Sequence, residues 1–131
     1  MNDDRTAIRG LLEQWAHRTS TGQQNRILDN HKPEALIFDV LEPLQYEGVT
    51  AYRESWDEWQ PETAGEIIFT LERLKITAGD QAGFAHGLIR CGGTTLEEKR
   101  FEDLVRATFC LEKTDGRWRI AHQHISKPMP R

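Results

Sequence analysis

The sequence contains no long apolar run, no block of basic residues and only two cysteines. A helix that crosses a membrane needs about 20 consecutive apolar residues, so the sequence predicts no membrane span. The formal net charge is -4, whereas nucleic-acid binding requires a concentrated basic surface, so we expect no nucleic-acid partner. The first ten residues, MNDDRTAIRG, are polar and rich in charge, so they do not predict a signal peptide.

Cys91 and Cys110 lie far apart in the sequence. Without a secretory signal, we expect both to remain reduced thiols in a cytoplasmic protein. The sequence contains no phosphate-binding loop, dinucleotide fingerprint or haem motif, so we expect no cofactor. The length of 131 residues and a hydrophobic content of 37% predict a single domain over residues 1–131 with its own core.

The first half of the chain predicts three helices. Apolar residues at helical spacing mark the first of them: Ile8, Leu11, Leu12, Trp15 and Ala16. A short second helix is predicted over residues 23–30, before Pro33 ends helical structure. The third is predicted to begin at Thr50. Its aromatic stripe has members at positions i, i+4 and i+7: Tyr52, Trp56 and Trp59.

The second half predicts a run of antiparallel strands. A first strand is expected earlier, over residues 35–40, and four longer ones follow the third helix. The spacing of apolar residues changes between Leu71 and Leu74, which predicts a β-bulge. The dipeptide Asp115–Gly116 predicts a tight hairpin between the last two strands. Helices followed by antiparallel strands indicate an α+β fold.

His122 and His124 lie two residues apart in the last predicted strand, so they share one face. Such a pair is compatible with a metal site, an acid/base pair or the polar lining of a cavity. A zinc site needs three or four ligands, and no cysteine pair or His/Asp cluster lies nearby in the sequence. We therefore expect no metal, and the face that carries the pair depends on the register of the final hairpin.

Two registers of this hairpin remain open. A loop of two or four residues pairs Leu111 with Ile120 and directs the two histidines inward, on the face that carries Phe109. A loop of three residues reverses one strand and brings Arg106 beside the histidines. Matched cross-strand pairs stabilise a sheet by about 0.2–1 kcal/mol each, which favours the first register. We predict that both histidines face inward and that Arg106 faces outward.

Five segments between Phe38 and Ser126 carry a family resemblance. They are FDVLEPLQYEG, AYRESW, FAHGLIRCGGT, VRATFCLEK and DGRWRIAHQHIS. Together they resemble SnoaL-like proteins, relatives of ketosteroid isomerase in the nuclear transport factor 2-like superfamily. The last segment also resembles the association domain of calcium/calmodulin-dependent protein kinases. The resemblance implies a cystatin-like cone in which three helices pack in a strongly curved, mainly antiparallel sheet around a central pocket. It also implies a homodimer formed through the outer face of the sheet.

The resemblance implies a catalytic role for Asp39. In ketosteroid isomerase-like enzymes, an aspartate at the corresponding place moves a proton at carbon, and a poorly hydrated carboxylate beside an apolar cavity suits that task. The alternative is an exposed or capping aspartate in a turn. Trp15 falls where those isomerases have a tyrosine, and Thr108 falls near the place of their acid. Their oxyanion hole is therefore not reproduced, and steroid isomerase activity is not expected.

Aromatic and charged side chains complete the expected pocket. Four aromatic residues either wall a cavity for a ring-shaped ligand or serve as core packing: Tyr46, Tyr52, Trp56 and Trp59. Strand alternation places His86 on the same face as Arg90. In the kinase association domains, an arginine at a similar position points into the cavity, so the resemblance implies that Arg90 binds an anion there. The alternative places Arg90 in a salt bridge on the outer face.

These features predict a SnoaL-like small-molecule enzyme that acts on a hydrophobic, carbonyl-containing substrate as an acid/base isomerase, cyclase or dehydratase. The candidate catalytic residues are Asp39, His122 and His124. The candidate substrate-binding residues are Trp15, Tyr46, Tyr52, Trp56, His86, Arg90 and Phe109. Two other functions remain open. One is a binding module for a small carboxylic acid, and the other is a structural dimerisation domain with a filled interior.

Overall fold

The computed structural model describes residues 3–59, 65 and 67–131, and the side chains of residues 57–59 lie outside the described set. Within this part of the chain there are two helices and six strands. Their bounds are α1 Asp3–Ser20, β1 His31–Phe38, β2 Tyr46–Glu47, α2 Val49–Trp59, β3 Ile68–Ala78, β4 Ala82–Thr94, β5 Arg100–Thr114 and β6 Arg117–Ser126.

The strands form one curved, mixed sheet in the order β2-β1-β6-β5-β4-β3. Strand β1 runs parallel to β6, and the other neighbouring pairs are antiparallel. The consecutive strands β3 to β6 are joined by tight connections, and the two-residue turn at Asp115 and Gly116 has the positive φ angles of a hairpin turn. The predicted α+β class with a mainly antiparallel sheet is therefore observed.

Helix α1 covers one end of the inner face of the sheet. Acidic Asp3 and Asp4 lie in its first turn and basic His17 and Arg18 in its last, which complements the helix dipole. One side of the helix is buried, with Ile8, Leu12, Trp15 and Ala16. The helix ends before Gly22, whose φ of 72° is the left-handed conformation that favours glycine beyond a helix end.

The prediction of an α-helix over residues 23–30 is wrong. Residues 24–30 form turns, and their backbone hydrogen bonds span three residues, from Arg26 N to Gln23 O and from Asp29 N to Arg26 O. A stretch of eight residues gains too few hydrogen bonds to offset the cost of starting an α-helix. Ile27 and Leu28 are nevertheless buried. The described chain therefore has two helices where the sequence predicted three.

Strand β1 begins and ends earlier than the predicted span of residues 35–40. Its register against β6 shifts between His31 and Leu36, a segment that contains Pro33, which has no amide hydrogen to donate. Because β1 ends at Phe38, Asp39 becomes the first residue beyond the strand.

Two β-bulges shape the sheet. The one predicted near Leu71 and Leu74 is confirmed, because the β3–β4 register shifts between Glu72 and Lys75. A second, unpredicted bulge lies between β5 and β6. Leu111 faces Ile120 while Cys110 faces His122, so Ala121 is an extra residue on β6. Beyond this bulge, every β6 side chain points to the face opposite to the one that simple alternation predicts.

The core lies between the helices and the inner face of the sheet. Strand β5 contributes alternate residues with side chains no more than 7% exposed: Val105, Ala107, Phe109 and Leu111. Trp118 and Ile120 on β6 extend the same face. No helix in the described residues is long and apolar enough to cross a membrane.

Candidate functional site

A cavity of about 280 Å³ lies between both helices and the inner face of the sheet, and we call it the central cavity. Five aromatic side chains line it: Trp15, Tyr52, Trp56, Phe69 and Phe101. Most of the remaining wall is aliphatic, including Ile27, Ile89, Val105 and Ile125. Asp39 is the one charged side chain among the described residues that line the cavity.

Asp39 lies at the wall of this cavity and is half-buried. Its Oδ1 accepts a hydrogen bond of 2.7 Å from the backbone N–H of Val40. Its Oδ2 accepts one of 2.6 Å from the hydroxyl of Tyr52. Since an ionised carboxylate has about four acceptor sites, these two bonds orient Asp39 and leave capacity to accept a proton or hydrogen bond from a ligand.

Tyr52 on α2 holds this carboxylate in place. The tyrosine is 7% exposed, and its burial, together with the negative charge of Asp39, raises its pKa well above the usual range. A hydrogen bond with Trp56 opposes part of that rise, and the two rings meet edge to face with centroids 5.5 Å apart. Tyr52 therefore stays protonated and donates to Asp39 over the whole physiological pH range.

Trp15 forms the α1 side of the cavity. Its ring packs edge to face against Phe69 and Phe109, with centroids 5.2 Å apart in both pairs. The indole N–H of Trp15 meets no hydrogen-bond acceptor within the described part of the chain, whereas that of Trp118 donates to Asp4 over 3.0 Å. Trp15 therefore brings an indole donor group to the wall of the cavity.

Cys91 on β4 also lines the cavity, and both Cys91 and Cys110 are free thiols. Burial raises the pKa of the Cys91 thiol, and the negative charges of Asp103 and Asp39 add to that rise. The thiolate is the nucleophilic form of cysteine, so Cys91 is a weak nucleophile and contributes shape and polarisable surface.

The prediction that His122 and His124 face inward is wrong. Both lie on the outer face of β6, where His122 is paired with Cys110 and His124 with Thr108. The Nδ1–H of His122 donates to the backbone carbonyl of Leu36 over 2.7 Å. The tight hairpin and the pairing of Leu111 with Ile120 agree with the predicted register, but the extra residue Ala121 reverses the facing of everything after it.

The prediction that His86 and Arg90 belong to the pocket is also wrong, because both side chains lie on the outer face of the sheet. Alternation along β4 does place them on one face, but that face is the outer one, because Ala85 and Ile89 are buried inside. Nε of Arg90 donates to Glu72 over 2.7 Å, and Glu102 lies 3.8 Å from the guanidinium. Arg90 therefore forms a salt bridge on the outer face, which is the alternative that the sequence left open.

Tyr46 and Phe109 are buried but do not line the central cavity. Tyr46 packs against Tyr52 with ring centroids 5.2 Å apart, and Phe109 packs against Trp15. Both therefore support cavity-lining rings from behind. Trp59, which the sequence placed in the same aromatic stripe, has its side chain outside the described set.

The sequence analysis missed a buried polar pair. His31 Nε2–H donates to Gln123 Oε1 over 2.6 Å, and the two residues are 5% and 0% exposed. His31 Nδ1 and Gln123 Nε2 have no partner within the described residues. Gln123 faces inward, as the neighbouring histidines were predicted to do. Recognising the bulge at Ala121 would have placed Gln123 inside the core. Phe69, Phe101 and Cys91 of the cavity wall were also missed, although each follows from strand alternation once the inner face is known.

A second depression of about 390 Å³ lies between α1 and β3 and is open to solvent. It is larger than the central cavity, but it contains none of the predicted site residues, and Phe69 lines both. We therefore place the candidate site in the central cavity, which is aromatic and less open than this depression. No three His, Cys, Asp or Glu side chains in the described ranges are grouped to hold a metal ion.

Solved structures similar to this chain share its architecture. An NTF2-like protein of unknown function from Pseudomonas putida KT2440 is 25% identical, with a TM-score of 0.85, and the match covers 99% of this chain and 90% of that one. An NTF2-like protein with a cystatin-like fold from Novosphingobium aromaticivorans is 12% identical, with a TM-score of 0.74, and the match covers 95% and 81%.

The CaMKII hub homology domain of Chlamydomonas reinhardtii is 15% identical, with a TM-score of 0.77, and the match covers 96% of this chain and 99% of that one. No protein of curated function matches the sequence. At the identities of the Novosphingobium and Chlamydomonas proteins, the likeness concerns the fold alone.

The model of the SnoaL-like domain matches residues 8–130. This span includes Trp15 on α1, Asp39 after β1, Tyr52 on α2 and all six strands, so it contains the whole central cavity. From its sequence and from the NTF2-like, cystatin-like architecture built around that cavity, the chain belongs to the SnoaL-like domain family.

Proposed function

We propose that this protein is a small-molecule enzyme that moves a proton next to the carbonyl group of a hydrophobic substrate, with Asp39 as the base. The observation that carries the proposal is a half-buried carboxylate, oriented by Tyr52, at the wall of an otherwise apolar cavity. The reaction class is isomerisation, cyclisation or dehydration. Membership of the SnoaL-like family supports a small-molecule site of this kind.

The proposed step begins with abstraction of a proton from the carbon adjacent to the carbonyl. Asp39 takes the proton, the C–H electron pair moves into the new carbon–carbon double bond, and negative charge develops on the carbonyl oxygen. Trp15 donates its indole N–H to that oxygen. In an isomerisation, Asp39 then returns the proton to a different carbon, so atoms and electrons balance without a further reactant.

Tyr52 acts as a positioning residue in this proposal. Its hydroxyl fixes Oδ2 of Asp39 while the Val40 amide fixes Oδ1, so the carboxylate plane is set before a ligand binds. Because the carboxylate is already oriented, the reaction step does not include the entropic cost of orienting it. His122 and His124 take no part in this mechanism because they face away from the cavity.

Hydrogen–deuterium exchange tests the proposal without knowledge of the natural substrate. A ring ketone such as 2-tetralone is incubated with the protein in D₂O, and NMR follows the loss of protons beside the carbonyl. Asp39→Asn is expected to lower the catalysed exchange rate by about 10²–10⁴-fold with an unchanged circular dichroism spectrum. Glu112→Gln is the matched control, because Glu112 pairs with Lys32 away from the cavity. Exchange that is unaffected by Asp39→Asn would remove Asp39 as the base.

We also propose that the chain forms a homodimer through the outer face of the sheet. Two apolar side chains support this assignment, since Phe84 is 47% and Leu104 42% exposed on that face, and a structural relative is a hub homology domain. Sedimentation equilibrium at micromolar concentration tests it, and a single monomeric species would contradict it.

A further inference from the structure

The size of the central cavity limits its ligand. Its volume of about 280 Å³ is roughly twice that of the engineered cavity of about 150 Å³ that holds one benzene molecule in another protein. One ring or two fused rings therefore fill it. A rigid four-ring compound is larger than this volume and would extend out of the cavity.

The shape of the wall favours a flat ligand. Trp15 on α1 and the Tyr52–Trp56 pair on α2 line the cavity, and Phe69 and Phe101 contribute further ring surface from β3 and β5. Trp15 is held edge to face by Phe69, and Trp56 is held in the same way by Tyr52. Rings fixed in these orientations present flat faces and edges, and they offer stacking or edge-to-face contacts to another ring.

The charge of the wall disfavours an anion. Among the described residues that line the cavity, Asp39 carries the one charge and none is Lys, Arg or His. The residues outside the described set, 1, 2, 60–64 and 66, include no Lys, Arg or His in their sequence. Arg90, the cation that the sequence analysis assigned to a bound acid, is paired with Glu72 on the outer face. Lys127 acts electrostatically on the cavity-lining Cys91, but it is paired with Asp103 over 2.7 Å, so this pair adds no net positive charge. A ligand carboxylate would lose its hydration and meet Asp39 without an unpaired cation beside it.

We propose that the central cavity selects an uncharged, flat compound of one or two rings and rejects the carboxylate of the same ring system, with Asp39 as the residue that enforces the choice. The inference rests on the same site as the proposed enzyme and names its substrate class. It depends on binding alone, so it does not require turnover.

Two probes with the same bicyclic size test the charge rule: uncharged 2-tetralone and anionic 2-naphthoate. Binding is followed by the ¹⁵N–¹H signals of the indole groups, because Trp15 and Trp56 line the cavity while Trp118 is bonded to Asp4 elsewhere. In the wild-type protein, 2-tetralone should shift the Trp15 and Trp56 signals saturably and leave Trp118 unchanged. The affinity for 2-naphthoate should be weaker by about tenfold or more.

The Asp39→Asn variant should abolish this discrimination. It removes the like charge and supplies an amide N–H₂ that can donate to a carboxylate, so 2-naphthoate should gain about tenfold or more in affinity while 2-tetralone changes little. Glu112→Gln, the same chemical change on an exposed outer position, should leave both affinities as in the wild type.

The inference is overturned if 2-naphthoate binds the wild type as tightly as 2-tetralone, if Asp39→Asn leaves the ratio of the two affinities unchanged, or if neither bicyclic probe shifts the two indole signals. These outcomes differ from failure of the proposed enzyme. Saturable binding of 2-tetralone with the expected charge rule but without proton exchange would remove the catalytic function and support the selectivity. Proton exchange together with equal affinities for 2-tetralone and 2-naphthoate would support the catalytic function and remove the selectivity.

Discussion

The two faces of the sheet differ in chemistry although they are built from the same strands. The inner face of β4–β6 is apolar, with Ile89, Phe109 and Ile120 each 0% exposed. The outer face carries His86, His124 and the ion pair of Arg90 with Glu72. Adjacent residues along one strand therefore belong to different environments, and the identity of the face decides whether a polar side chain takes part in the candidate site.

The comparison shows how much depends on one extra residue. On β6, Ile120 faces inward before the bulge, and Gln123 and Ile125 face inward after it. If Ala121 were paired as an ordinary strand residue, His122 and His124 would occupy the inner positions. The charge inside the cavity is therefore determined by a local irregularity of the backbone as well as by the choice of side chains.

Exchange of His124 and Ile125 should have the largest effect on this comparison. His124 is exposed on the outer face, whereas Ile125 is 8% exposed on the inner face, so the exchange puts an imidazole in the core and an isoleucine on the surface. We expect the free energy of unfolding to fall by about 3–5 kcal/mol, because apolar burial is lost and a polar group is buried without a partner. Urea denaturation measures the loss. His124→Ile alone is the control and should change stability little, and an exchange variant as stable as the wild type would show that the facing beyond the bulge is not the one described.

Acidification should expose the difference between the buried and the exposed histidines. Burial lowers the pKa of His31 from 6.5 to about 4. Between these values the unfolded chain binds a proton that folded His31 does not, so this contribution to stability is complete above pH 6.5 and falls as the pH decreases towards 4. At about 1.4 kcal/mol per pKa unit, the loss is about 3 kcal/mol. Urea denaturation from pH 7.5 to pH 4 measures it.

The control for this prediction is one of the outer histidines. His31→Gln should flatten the dependence of stability on pH over this range, whereas His124→Gln should retain it, because His124 is exposed. If His31→Gln proves too unstable to measure, the His31 ring proton of the wild type can be followed by NMR. A folded-state titration midpoint near 6.5 would contradict the prediction.

Replacement of Arg90 should have the smallest effect. Its ion pair with Glu72 joins side chains that are 39% and 35% exposed, and solvent and salt screen such pairs strongly. Arg90→Ala should therefore leave the urea midpoint and the affinity for 2-tetralone unchanged within error. A clear loss of ligand affinity would mean that Arg90 reaches the cavity, as the sequence analysis first suggested.

Much of the fold followed from local patterns. The stripe from Ile8 to Ala16 predicted α1, alternation predicted the four late strands, and the Asp115–Gly116 dipeptide predicted the last turn. These signals are short-range, because they depend on helical or strand periodicity and on the φ preferences of glycine and aspartate. The turns at residues 24–30 were mistaken for a helix because Ile27 and Leu28 are buried in either case.

The candidate site was predicted less well. The family resemblance directed attention to Asp39 and Trp15, and the aromatic stripe directed it to Tyr52 and Trp56. All four line one cavity, and their roles stay predictions. The contact between Asp39 and Tyr52 joins the end of β1 to α2, and no periodicity of the sequence encodes that distance. The pair of His31 and Gln123 joins residues 92 positions apart and depends on the β6 bulge.

By itself, the sequence determined the α+β class, the first helix and the order of the long strands, since apolar spacing and turn residues act over a few positions. Tertiary structure alone decided which histidines are buried, that Arg90 faces Glu72, and that Asp39 is the one described charge in the cavity wall. The physical reason is that strand periodicity specifies two faces but not which of them is concave. One bulge residue exchanges the two faces, and its position is set by packing across the whole sheet.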